Sequence, residues 1–369
     1  MKKKLDIVYV THDSLSEGIG MSQVVPVVLG LCKLGWRMGI VSCEKTELPK
    51  EIQTEFEDAG VVWIPLKFGR PGAVGGISRL ARIAFHLPRA RAFHCRGDLA
   101  AVAVVLRSRV GFLWDVRGLW IDQKIVIGSI ASNRVLIFLA KKLEMVAARK
   151  AKAISTLTKA VFPVLKERHS FISQPHYVIP TCTDLTKFAF SNRLPKETKL
   201  LLSGVFNNYY DLPATELFIT KLREKKDVKV TWCHGKEAEK SELNIGEDEI
   251  KILRQSEMLG EIQSSSFGIA LCKQDIGDSL TGVMPTKVAE FLAVGRPIVV
   301  SKGIGDLDEL LTLTKTGVVI DGDMSIAVDE LLALLDDEET PFRCRALAEQ
   351  HFDMTKAVLI YDSIFREMI

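Results

Sequence analysis

Short apolar runs recur along the chain, and most are followed by a polar loop and then by a segment whose apolar positions return every three or four residues. The runs in the first half are Leu5–Val10, Met38–Cys43, Val61–Leu66, Ala92–Cys95, Val110–Val116 and Ala153–Thr158, with a last strand in YVIPTCTD from Tyr177 to Asp184. In the second half they are Lys199–Gly204, Val228–Cys233, Ile250–Leu253, Phe267–Cys272, Pro297–Val300 and Val318–Asp321. Runs this short and this apolar suit strands covered on both faces, as in a parallel sheet. The intervening segments predict helices, among them Ser22–Leu34, Lys50–Asp58, Leu99–Leu106, Asn133–Ala151 and a final one over Met354–Ile369. Alternation of this kind predicts an α/β protein.

The sharpest unit is SLTGVMPTKVAEFLAVGRPIVVS, Ser279 to Ser301. A polar loop follows the Phe267–Cys272 strand, and Pro285 suits the first turn of a helix. Val288, Phe291 and Leu292 mark its apolar face, and Gly295 stops it by entering the left-handed conformation cheaply. A helix that follows a parallel strand points its N-terminus out of the sheet's carboxyl edge, where its free N–H groups suit a phosphate. Lys287 could reach the same anion, and Glu290, one turn on, could accept from two ribose hydroxyls. Both also fit the solvated face of an amphipathic helix.

Other polar groups fall at predicted strand ends. The loop THDSLSEGIGMSQ follows the first strand; Gly18 and Gly20 would let its backbone approach a ligand, and Ser22 would cap the next helix. The Gly-x-Gly there lacks the third glycine of a dinucleotide fingerprint, which argues against an NAD-dependent oxidoreductase. HCRGD and DVRGLW end two consecutive strands and place His94, Arg96, Asp115 and Arg117 at a carboxyl edge, where open α/β sheets hold ligands. The two arginines could neutralise a diphosphate. Asp115 could accept from an acceptor hydroxyl, or Asp115 and Arg117 could form a structural ion pair.

At 369 residues the chain suggests two domains. Its net charge of +3 hides an asymmetry: residues 1–185 carry +12 and the remainder −9. A basic first half implies anionic partners, such as a phosphorylated acceptor or an anionic lipid surface. Within it, FGRPGAVGGISRLARIAFHLPRARAF reads as a basic amphipathic helix, with Ile77, Leu80, Ile83 and Ala84 on one face and Arg79 and Arg82 off it. Such a helix fits peripheral contact with an anionic membrane, or packing against its own domain. No nucleic-acid-binding module appears. Seven scattered cysteines without a C-x-x-C pair, and no leader-like or membrane-spanning apolar run, lead to the expectation of a cytoplasmic protein, at most at the inner face of a membrane. The dispersed histidines give no metal-ligand spacing, so no metal is expected.

PTKVAEFLAVGRPIVVSKGIGDLDELL resembles the donor-binding segment of family 4 retaining glycosyltransferases. The resemblance implies a GT-B fold: an acceptor-binding Rossmann-like domain over residues 1–187 faces a nucleotide-sugar-binding one over 188–353 across a cleft. The helix of 354–369 crosses back to the first domain. It also implies transfer of a hexosyl or N-acetylhexosaminyl group from a UDP- or GDP-linked sugar to a saccharide or lipid-linked acceptor, in surface polysaccharide or glycoconjugate synthesis. No cofactor beyond that substrate is implied. On the donor side it places Gly18, Gly20, Ser203, Gly204, Asn207, Thr281, Gly282, Thr286, Lys287 and Glu290; on the acceptor side, His94, Arg96, Asp115 and Trp120. Arg96, Asp115, Arg117 and Lys287 carry the catalytic part, largely by stabilising the leaving diphosphate.

Three positions depart from the family pattern. Gly282 stands where a glutamate near the sugar is common, and Arg96 stands where many relatives have the second histidine of a His-x-His motif. Val205–Ala214 lacks the arginine and lysine that usually clamp the pyrophosphate, with Asn207, Asn208 and Tyr209 in that loop instead. These departures leave room for a weakened, binding-only subunit. A UDP-sugar 2-epimerase shares the architecture but needs acidic catalytic residues that the sequence does not place.

Overall fold

The computed structural model describes residues 4–128, 133–204, 209–234, 248–253 and 255–369. Thirteen strands occur among them, in two sheets whose neighbouring strands all run parallel. The first sheet holds β1 (Leu5–Val10), β2 (Met38–Glu44), β3 (Val62–Lys67), β4 (Ala90–Arg96), β5 (Phe112–Val116), β6 (Ala153–Thr156) and β7 (His176–Val178), in the order β3-β2-β1-β4-β5-β6-β7. The second holds β8 (Lys199–Ser203), β9 (Lys229–His234), β10 (Glu249–Ile252), β11 (Phe267–Ala270), β12 (Ile298–Ser301) and β13 (Gly317–Ile320), in the order β10-β9-β8-β11-β12-β13. In each sheet the strand order reverses once, between β1 and β4 and between β8 and β11. The carboxyl edge at such a reversal is where open α/β sheets bind ligands.

The apolar runs become strands because both sides of the sheets are covered. Every residue of β5, β6, β11 and β12 is buried. Burying their side chains removes apolar surface from water at about 25 cal/mol per Å². β7 is shorter than its sequence suggests; Pro180, two residues beyond its end, brings no N–H to a ladder.

The chain divides into two units, Met1–Pro180 together with Met354–Ile369, and Thr181–Asp353. The division precedes the linker expected near Leu185–Leu194, because that stretch is tied to the second unit. Thr181 Oγ1 donates to the Met284 carbonyl at 2.7 Å, and the Thr183 N–H to the Phe352 carbonyl at 2.9 Å. Arg345 donates to the carbonyls of Phe188 and Ala293 at 3.0 and 2.9 Å, and Arg296 to that of Ser191 at 3.2 Å. Leu185–Leu194 is therefore a fixed strap of the second unit.

The final helix, Met354–Met368, belongs to the first unit and buries Val358, Tyr361, Ile364 and Phe365. A Cβ on Gly30 would lie 2.6 Å from Val358 Cγ2, so the helix Val25–Lys33 needs glycine there for the two to pack. Trp36 Nε1 donates to Asp362 at 2.7 Å and Tyr177 to Glu367 at 2.9 Å, fixing the helix at its middle and near its C-terminus.

The helix Gly72–His86 is turned differently from its sequence reading. It buries Gly75, Gly76, Arg79 and Ile83, while Val74, Ile77 and Phe85 stand exposed. Arg79 points inward, its guanidinium 4.1 Å from the Phe68 ring centre and donating to the Arg70 carbonyl at 2.9 Å. A long side chain that can stack and find carbonyls is accepted inside. No helix among the described residues is long and apolar enough to cross a membrane.

Candidate functional site

In the second unit the helix Thr286–Val294 starts at the carboxyl end of β11, next to the strand-order reversal. Pro285 is its N-cap, and Gly295 ends it at φ 89°, a left-handed conformation that an L side chain resists. The first N–H groups of a helix have no intrahelical acceptor, so this end offers donors to an anion. Gly204, just past β8, also has a positive φ of 118°, and a Cβ there would lie 3.5 Å from Lys287 Nζ. Gly204 thus brings backbone right up to the lysine. On another side, Lys287 Nζ lies 4.6 Å from the centre of the Tyr210 ring, a cation–π contact.

Lys287 and Glu290 are half-buried. Desolvation brings the Lys287 ammonium down to about 8, partly opposed by Cys272 and Glu290. Desolvation likewise lifts Glu290 to about 7, against the pull of Lys287. An incoming phosphate would stabilise the ammonium, and hydroxyl donors would stabilise the carboxylate. Two charges held at a desolvation cost, one turn apart at a helix start, make this helix end a candidate ligand site.

The residues ahead of this helix fold as a 3-10 segment, Gln274–Gly282, rather than as an open loop. Gly282 is buried, and the Thr281 hydroxyl donates to the Asp278 carbonyl at 2.7 Å. Thr286 opens the helix, and Ser203 ends β8 as a buried residue. Asn207 lies outside the described residues. Tyr209, named in sequence only as filling the clamp loop, pairs its hydroxyl with Ser279 at 2.8 Å and braces the 3-10 segment. The sequence reading missed Tyr210 altogether. Its only signal was the NNYYDLP stretch following β8.

The first unit carries a polar cluster at its own reversal point. Arg96 ends β4 and donates through Nε to Asp13 Oδ2 at 2.9 Å, joining the ends of the β1 and β4 segments. Burial would raise the Asp13 carboxyl, yet His12 and Arg96 bring it down to about 2. Asp115 in β5 is almost wholly buried; Ser155 donates to it at 2.9 Å, and Arg117 Nη1 lies 3.7 Å away. Arg117 first, then His94 and Arg96, hold it below the usual carboxylate range against the cost of burial.

His94 is fully buried, its ring centre 4.1 Å from that of Tyr9 and 4.7 Å from that of Tyr361. Burial lowers its pKa despite Asp115, so the imidazole is neutral and Nε2–H donates to Asp115 Oδ2 at 3.2 Å. This placement makes His94 a prop for Asp115 and corrects its expected place on the acceptor side. Trp120 opens the helix Trp120–Val126 and is partly exposed.

Each arginine in this cluster faces a carboxylate, so the formal charge of Asp13, Arg96, Asp115 and Arg117 sums to zero. Little positive charge is left over for a diphosphate. Arg96 Nη1 and Arg117 Nε are nonetheless buried without a hydrogen-bond partner. Buried donors left open beside carboxylates suit a hydroxyl-rich ligand, which can accept from one and donate to the other.

The glycine loop has its own explanation. Neither Gly18 nor Gly20 has a positive φ. A Cβ on Gly20 would lie 2.3 Å from the Ser14 carbonyl oxygen, so glycine is required by packing within the loop. Ser22 does not cap a helix; it lies in a π-helical turn, Gly20–Val24, and donates to the Gly18 carbonyl at 2.7 Å.

No protein-family model matches the chain, and no curated protein matches it in sequence. Solved structures do. A sucrose-phosphate synthase from Thermosynechococcus elongatus is 14% identical over 99% of both chains, with a TM-score of 0.75. Anabaena HepE, solved in complex with UDP-glucose, is 11% identical over 98% of this chain and 100% of that one, with a TM-score of 0.69. A glycosyltransferase from Rickettsia africae is 14% identical over 99% and 98%, with a TM-score of 0.65. At these identities the likeness establishes the fold: GT-B, with two parallel-sheet α/β domains.

Proposed function

We propose that this GT-B chain is a retaining glycosyltransferase that moves a hexosyl or N-acetylhexosaminyl group from a UDP- or GDP-linked sugar to a saccharide or lipid-linked acceptor. The observation that carries the reading is the meeting of Lys287, Glu290 and positive-φ Gly204 at the strand reversal of the second sheet. In this reading the helix start and Lys287 hold the diphosphate, and Glu290 accepts from the ribose. The solved GT-B structure holding UDP-glucose supports a donor of that class. Asp115 and the arginines of the first unit take acceptor hydroxyls.

As the sugar's bond to the diphosphate breaks, charge grows on the leaving oxygen. A lysine and a helix dipole already oriented toward it stabilise that charge without reorganisation. The departing oxygen can itself take the acceptor's proton on the same face, which gives retention and needs no side-chain base. Lys287 as the one cation at this helix start among the described residues, where the family resemblance implies an arginine–lysine clamp, favours a second reading, a GT-B subunit that binds a nucleotide sugar without turnover.

A thermal-shift panel of UDP- and GDP-linked sugars, repeated on Glu290→Gln, tests the site. At least one donor should stabilise the wild type, and its effect should shrink in the variant. No hit in the panel, or one indifferent to Glu290, would sink the reading. Release of free nucleotide on adding acceptor separates the transferase from the binding subunit.

The same two groups set a pH profile. Below about pH 7 Glu290 takes up a proton and loses the charge that strengthens its bonds from the ribose. Above about pH 8 Lys287 gives up its proton, and with it the attraction for phosphate. Donor affinity should therefore peak between these values and fall on both sides, approaching about tenfold per pH unit. Calorimetric titrations across pH should show Glu290→Gln keeping the alkaline limb and losing the acid one. A flat wild-type profile would contradict the assignment.

A further inference from the structure

A hollow of about 300 Å³ opens at the amino edge of the first sheet, away from the edge that carries Asp115. Leu87, Phe93 and Val110 give it an apolar lining, while Lys4, Arg89 and Arg107 are exposed and give it a positive rim. The neighbouring Arg91 is already near Asp6, at 3.6 Å. Two apolar side chains adjoin the hollow in sequence. Phe85, in the last turn of Gly72–His86, is 79% exposed, and Leu106, in the last turn of Gly97–Arg107, is 66% exposed. These helices pack together, and both precede strands or turns at the amino edge.

Phe85 also ends an exposed stripe. Val74, Ile77, Ala81 and Phe85 follow one another at helical spacing, and all four are exposed. Monomeric proteins seldom leave such a stripe to water without a use. Charge decides what covers it. From Ala59 to Trp114 the only carboxylate is Asp98, and it is buried. An apolar stripe amid unopposed cations fits an anionic bilayer, whose phosphates meet the cations while its acyl region takes the apolar side chains.

We propose that this face rests on an anionic phospholipid bilayer, with headgroup phosphates in the Lys4–Arg89–Arg107 hollow and Phe85 and Leu106 beside it in the acyl boundary. The assignment does not depend on the donor site.

Co-sedimentation of the full chain with phosphatidylglycerol–phosphatidylcholine vesicles tests it, against phosphatidylcholine alone. Binding should require the anionic lipid and weaken as salt rises. In the double variant Arg89→Glu/Arg107→Glu it should fall by roughly tenfold or more. Phe85→Ser/Leu106→Ser should also reduce it, and should leave the salt dependence in place. All four residues are exposed, so unchanged melting curves will show that both variants fold. Absence of binding, or binding that survives both variants, would overturn the proposal. So would stabilisation by inorganic phosphate, lost in Arg89→Glu/Arg107→Glu, from a protein that ignores the vesicles, because that marks a site for a soluble anion.

Discussion

Lys287→Met should weaken nucleotide-sugar binding by about 10–100-fold, because a charge-assisted contact to phosphate is worth roughly 1.5–3 kcal/mol. Methionine keeps a flexible apolar stem against Tyr210, so the loss isolates the charge. Stability should move the other way. Desolvation lowers the pKa of the folded lysine to about 8, so at neutral pH its charged form costs the native state free energy. Removing that charge should leave the melting temperature equal or slightly higher. Glu290, deprived of its cation, should climb above its value of about 7 and be protonated at neutral pH. Affinity lost with stability kept is the signature of a site where stability yields to function. Calorimetric titration of the donor beside a thermal melt reads both quantities. Loss of stability in parallel with affinity would instead mark Lys287 as structural.

The largest stability loss is expected at Arg296. Its side chain is almost wholly buried, and its guanidinium is solvated by backbone. Nε donates to the Ser265 carbonyl at 2.7 Å, Nη2 to the Gln263 carbonyl at 2.9 Å, and Nη1 to the Ser191 carbonyl at 3.2 Å. Burial lowers its pKa only to about 10, so it stays charged at neutral pH. Arg296→Met would strand these acceptors and cut the strap around Ser191 from the start of β12. The expected cost is about 3–5 kcal/mol, by analogy with removing one partner of a buried ionic contact. For a unit of this size that lowers the melting temperature by roughly 10 °C. Donor binding should persist at low temperature, since Arg296 lies at the far end of the helix from Lys287. A melting curve within a degree or two of wild type would refute the role.

Much of the fold was legible because its strands are short, apolar and doubly covered, a pattern that few other arrangements share. The helix that begins beside Thr286 and ends at Gly295 was equally plain, since a proline and a glycine bracket it. Orientation was less legible. Helical spacing sets Arg79 off the apolar face, yet it lies inward on Phe68, because periodicity cannot say which face a long basic side chain will choose. Strand-end position sets His94 at a carboxyl edge, and the family resemblance puts it on the acceptor side. Its burial depends on Tyr361, which is far away in the chain. Gly20 looked like a ligand loop, whereas its need for glycine comes from a carbonyl six residues earlier. Tyr210 went unseen because a ring beneath a lysine leaves no local pattern. In each case a contact that the local apolar and polar pattern does not encode decided the outcome.

The first unit is built from the two ends of the chain, and this dictates its assembly during translation. Until Met354–Ile369 leaves the ribosome, Tyr361 and Phe365 are missing from around His94. All of Thr181–Asp353 must be synthesised first, which at ~5–20 residues per second takes on the order of ten seconds or more. Throughout that interval the nascent amino-terminal sheet waits with an unfilled apolar seam, open to chaperones and to mispairing, and the other domain is complete before the first one is.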